Sequence, residues 1–168
     1  MFSYLYKLML KTKIMNDAHL HLVLNHLPII TPVIGLLIMI GGLVFSSEIL
    51  KRTAYLVFIL AAVVAIPTFA TGEGAEEVVG KLAGIDENLI KTHEEVAEKF
   101  AILCYILGAV SLLGLWTNYY KKYFSNIIPY VTILICAITL YFAKQTGTTG
   151  GEIRHTEIRE KLGMDLKN

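Results

Sequence analysis

Four stretches of the chain run without a single Asp, Glu, Lys or Arg: Leu20–Ser47, Thr53–Gly72, Phe100–Tyr120 and Tyr123–Ala143. Each holds roughly 20 residues or more, the length a helix needs to cross a hydrocarbon core of about 30 Å. None alternates apolar and polar positions as a membrane β-strand does. A soluble domain can bury one such helix, but four in 168 residues leave too little polar surface to face water. The pattern predicts an all-α fold, an integral membrane four-helix bundle.

The charged segments between the runs set the topology. A tight turn with Glu48, Lys51 and Arg52 joins the first run to the second, and another with Lys121 and Lys122 joins the third to the fourth. A longer acidic connection, GEGAEEVVGKLAGIDENLIKTHEEVAEK, joins the second to the third. Residues 1–14, MFSYLYKLMLKTKI, carry Lys7, Lys11 and Lys13 on an apolar run too short to span. They read as a leader or upstream extension, with 15–168 as a single transmembrane domain.

Composition removes several functions. A net charge of +1 without a Lys/Arg cluster gives no nucleic-acid-binding face. Cys104 and Cys136 lie inside apolar runs and read as small packing residues. No Gly-rich phosphate loop, CxxCH haem-attachment motif or Ser/His/Asp constellation occurs, so no catalytic residue is assigned and enzymatic activity is left open.

The histidines change the picture. Four crossings put the start of the first helix, the end of the second, the start of the third and the end of the fourth on one side. That side carries His19, His21, His26, His93 and His155, which is every histidine in the chain. Histidine tolerates interfaces, so any one of them alone reads more readily as a solvated side chain than as a ligand. Their shared placement is the functional signal. His26 lies about 8 Å beyond His21 along a helix, at a depth where polar residues usually face a bundle interior. That makes His26 the first candidate and His21 the second. The two point roughly 140° apart on an unbroken helix, so they cannot grip one ion together. Pro28 removes the hydrogen bond to the Leu24 carbonyl, so a kink or a fresh helix start is expected there. His93 shares a face with Val96, Phe100 and Cys104. Gly150 and Gly151 are expected to let the chain bend, bringing His155 back over the bundle end.

Imidazoles alone, on facing helices with an apolar interior, suit an axially ligated haem b, one or two per chain. The ligand set is then His21 or His26 with His93 or His155, and Arg154, Arg159 or Lys91 can meet the propionates. A bare copper or zinc ion on His26, His93, His155 and His21 is the alternative, in a metal-handling or metal-sensing protein. A di-iron carboxylate site fits less well, because Glu152 and His155 make only one Glu-x-x-His. Glu73 borders the second run closely enough to carry protons. The third reading is a structural subunit of a membrane complex with no cofactor, or a homo-oligomer.

The segment H-L-V-L-N-H-L-P-I from His21 to Ile29 resembles the H-P-x-x-x-H-F-P-I signature of a large family of uncharacterised bacterial four-helix membrane domains. Both histidines, Pro28 and Ile29 match, whereas Leu22 and Leu27 stand where the signature has proline and phenylalanine. The similarity extends to the acidic connection, to His93 and to Gly150–Gly151 followed by His155, so it covers about residues 19–160. Relatives joined to Rieske iron–sulfur or cytochrome c domains imply electron transfer in the bacterial plasma membrane. Haem is then the implied cofactor, and quinone, a cytochrome or a Rieske protein the implied partner. No such attached domain is read within residues 1–168. The basic tight turns, read by the positive-inside rule, put the histidine side and the C-terminus outside, although Lys and Arg are more numerous on the histidine side as a whole.

Overall fold

The computed structural model describes residues 17–81 and 85–159. The expected leader and the last residues of the chain lie outside that range. Among the described residues the structure is helical, with four helical stretches long and apolar enough to cross a membrane: Asp17–Val44, Glu48–Gly80, Glu87–Tyr119 and Ile128–Arg154. The protein is an all-α, multi-pass membrane four-helix bundle, as the pattern of charge-free runs predicts.

The first stretch is two helices, α1 (Asp17–Leu24) and α2 (Leu27–Val44). The break falls at Asn25–His26, because Pro28 has no N–H to donate and favours the first turn of a new helix. The second stretch is also divided, into α3 (Glu48–Ala70) and the short α4 (Gly72–Gly80). The third is the continuous α5 (Glu87–Tyr119), capped by Asp86, whose carboxylate accepts from the Asn88 amide at 2.9 Å. It begins well before the apolar run, because Ile90, His93, Val96 and Phe100 continue the inward face towards the N-terminus. The fourth, α6 (Ile128–Arg154), runs on past Lys144 into the polar tail and ends at Arg154. Gly150 and Gly151 lie within it, so the expected bend at these glycines does not form.

α2, α3, α5 and α6 close into a ring in which each packs on the next and α6 returns to α2; α1 lies against α3 and α4. The two tight turns are built alike. α2 and α5 each end in a Schellman motif, with Ser46 and Lys121 at φ 49° and 48°. The Ser47 amide reaches back to the Gly42 carbonyl, and the Lys122 amide to the Thr117 carbonyl, each at 2.9 Å. These turns place Trp116, Tyr119, Tyr120, Tyr123, Phe124 and Tyr130 at one end with their rings exposed, the placement of an interfacial aromatic belt. Arg52 and Lys122 lie over Tyr119 and Trp116 there.

The interior is layered. Met39, Ala54, Tyr55, Phe58, Leu107 and Cys136 form one fully buried cluster, and Ala65, Phe100, Cys104 and Ala143 form a second. Both cysteines are free and buried among apolar neighbours, the packing role expected of them. Leu37, Val44, Leu60 and Leu134 face outward, as lipid-facing residues do. Gly35, Gly42, Gly108 and Gly114 are buried where helices approach, whereas Gly41 has only Leu50 near it, at 3.9 Å.

Candidate functional site: a histidine pair at one end of the bundle

The end away from the aromatic belt gathers His21 from α1, His93 from α5, Thr68 and Thr71 at the end of α3, and Thr146 and Thr149 from α6. His21 is half-buried, and its Nδ1 lies 2.9 Å from the Thr68 carbonyl and 3.5 Å from the Thr71 hydroxyl. That carbonyl is available because it lies in the last turn of α3, where main-chain oxygens have no amide one turn ahead. A carbonyl can only accept, so Nδ1 carries the proton and donates it. Nε2 of His21 is left with its lone pair.

His93 is held the same way from the opposite side. Its Nδ1 lies 3.1 Å from the Thr149 hydroxyl, with the Thr146 main chain also in reach. The Thr149 hydroxyl gives its own proton to the Gln145 carbonyl at 3.0 Å, so it accepts from the ring. With the Thr149 proton on Gln145, Nδ1 is the donor in this contact. The two imidazoles lie within electrostatic reach of each other. Each ring also rests beside a glycine. A Cβ at Gly72 would meet His21 Cε1 at 3.8 Å, and one at Gly150 would meet His93 Cε1 at 2.9 Å.

The remaining sequence candidates are not drawn into this pair. His26 is exposed on the outer surface of the bundle at the α1–α2 break, where it caps α2 without a side-chain hydrogen bond. The inward position on this segment belongs to His21. The new helix start at Leu27 breaks the register on which the depth argument for His26 rested. His19 is exposed. His155 follows the end of α6, exposed, with Nδ1 2.8 Å from Glu157. The Glu157 amide and, after it, the His155 ring hold that carboxyl below the usual carboxylate range. Arg154 is exposed, and Arg159 caps α6 by donating to the Glu152 and Ile153 carbonyls. Lys91, two residues before His93, lies in the charged neighbourhood of Glu76 with Glu73 and Glu94. Among the described residues no three of His, Cys, Asp and Glu come together as a metal-binding group.

Thr68, Thr71, Thr146 and Thr149 were not singled out from sequence. One signal was legible: a T-x-x-T spacing closes both the second and the fourth apolar helix, at the level where the first and third carry histidine. Comparison of the chain with protein-family models, with curated proteins and with solved structures finds no match. By its own fold and site, the protein belongs to the class of multi-pass membrane helical bundles, with two inward histidines at one end.

Proposed function

We propose that His21 and His93 would hold the iron of a b-type haem, and that the protein is a membrane redox module passing electrons in or beside a respiratory chain. The observation that carries this reading is the matched state of the two rings. Each donates from Nδ1 to an oxygen of a neighbouring helix, which orients the ring and leaves Nε2 of His21 as a free donor atom. Ligating histidines are oriented by this kind of second hydrogen bond. Two imidazoles fit haem iron, whose other four positions belong to the porphyrin, whereas copper or zinc would require further protein donors. When bound, the haem supplies a one-electron couple. The chain's own residues orient the rings: the Thr68 carbonyl holds His21, and the Thr149 hydroxyl holds His93.

The rest of the reading follows from placement. The histidine end faces outward from a bacterial plasma membrane, supported by Lys51, Arg52, Lys121 and Lys122 at the opposite turns. A quinone, a cytochrome or a Rieske protein would exchange electrons at that end.

The test is a reduced-minus-oxidised spectrum of the full chain purified from haem-replete cells. Haem b bands are expected in the wild type, retained in His26→Ala and His155→Ala, and lost or altered in His21→Ala and His93→Ala. A wild type without haem but with stoichiometric copper or zinc would replace this reading with metal handling. A protein with neither would leave the histidines structural.

A further inference from the structure

Two hydroxyls deep in the half of the bundle away from the histidines have no hydrogen-bond partner: Tyr55 Oη on α3 and Ser111 Oγ on α5. Both residues are 0% exposed. Their isolation is selective. Thr117, Thr132, Thr139 and Thr146, in the same interior, each donate to a carbonyl three or four residues back. Ser111 has no such bond, although a mid-helix serine ordinarily makes one. In hydrocarbon surroundings an unbonded hydroxyl is costly, and two on facing helices point to a ligand between them.

Gly114 brings the two together. A Cβ at Gly114 would lie 2.3 Å from Tyr55 Cε1 and 2.8 Å from its Oη, so the phenol end sits against the α5 backbone. Ser111 lies one turn before Gly114 on the same face, where successive Cβ positions are about 5–6 Å apart. Thr132 on α6 faces the Tyr55 hydroxyl without meeting hydrogen-bond geometry, and its own proton goes to the Ile128 carbonyl at 2.9 Å. Its oxygen can still accept a further hydrogen bond.

We infer that Tyr55 and Ser111, with Thr132, form an internal water-binding site. Both orphaned groups can donate and accept, and the three oxygens supply the two to four polar partners that a buried water needs. Outward from Tyr55 the next polar residues are Glu48 and Lys51, which are ion-paired, and Asn118, which donates to Glu48. Inward, Phe58, Leu107 and Cys104 close the interior with apolar surface. The water therefore extends a polar inlet from the turn end of the bundle and stops short of the histidine pair.

The asymmetry of hydrogen-bond energetics provides the test, read as thermal unfolding midpoints of the full chain in detergent. Removing a hydroxyl that bonds nothing is neutral or stabilising, whereas removing one that holds water orphans the water's other partner. Tyr55→Phe and Ser111→Ala are each expected to lower the midpoint by about 2–4 °C, and the double variant no further than the worse single. A midpoint raised or unchanged in either single, or losses that simply add, would overturn the site. Thr132→Val separates a direct contact. If it abolishes the Tyr55→Phe effect while Ser111→Ala is silent, a Tyr55–Thr132 bond accounts for everything and no water is needed. Magnetisation transfer from water to the Tyr55 ring protons gives a second reading, expected in the wild type and lost in Ser111→Ala; its absence in the wild type would also overturn the inference.

Discussion

The His93 imidazole occupies the space that a side chain at Gly150 would need, with a Cβ there falling 2.9 Å from Cε1 and 3.2 Å from Nδ1. Gly150 is helical, so what it provides here is closeness, not a turn. Helix propensity alone would make Gly150→Ala stabilising by roughly 0.5–1 kcal/mol. The contact reverses that sign, because the ring must leave Thr149. Gly150→Ala is expected to cost about 1–3 kcal/mol of stability and to alter the cofactor spectrum. Gly72→Ala, with 3.8 Å of room beside His21, is expected to leave both unchanged. Spectra and unfolding midpoints of the two variants decide it.

Thr149→Val removes the hydroxyl that orients His93 and keeps the side-chain volume. If Thr149 positions an axial ligand, the variant should still bind haem while its reduction potential and ligand-field bands shift. Thr149→Ser, which keeps the hydroxyl, should restore the wild-type values. A potentiometric titration showing no shift in Thr149→Val would remove the positioning role.

At the opposite end, Gly114 and Gly41 form a contrasting pair. A methyl at Gly114 would meet Tyr55 at 2.3 Å, and Tyr55 is walled in on all sides. Gly114→Ala should therefore destabilise the bundle by about 1–3 kcal/mol. Gly41→Ala, facing only Leu50 at 3.9 Å, should be neutral or slightly stabilising. Denaturation in mixed micelles measures both.

Lys51 has a side chain only 9% exposed, ion-paired with Glu48, and its stem lies against Gly42. Glu48→Ala strands a buried ammonium and also removes the acceptor of Asn118, at an expected cost of about 1–3 kcal/mol, reduced by the half-exposure of Glu48. Lys51→Met fills the same slot without a charge and should cost less. Equal losses in the two variants would show that the stem, not the charge, is what matters.

Topology is open to direct measurement. A reporter active only in the cytoplasm, fused after Asn168, is expected to be silent, because the histidine end and the C-terminus lie on the outer side in this reading. An active fusion would invert the orientation and move electron exchange to the inner face.

The number of membrane-spanning stretches, the order of their connections and the placement of every histidine at one end were legible in the sequence. Charge-free length is a one-dimensional property, and hairpin connectivity converts it into sides of a membrane. The tertiary structure alone decided which histidine faces inward. Helical periodicity predicts relative direction only while a helix is unbroken, and the break at Asn25–His26 turns His26 to the surface while α1 carries His21 towards α3. The early start of α5 was only faintly legible, because Glu94, Glu95 and Glu98 mask the inward face of Ile90, His93 and Val96. Thr68, Thr149 and Gly150 act across helices, through lateral distances that spacing along one chain does not encode. For the same reason, the two unpartnered hydroxyls of Tyr55 and Ser111, residues that are ordinary in an apolar run, acquire meaning only when α3 and α5 are brought into contact.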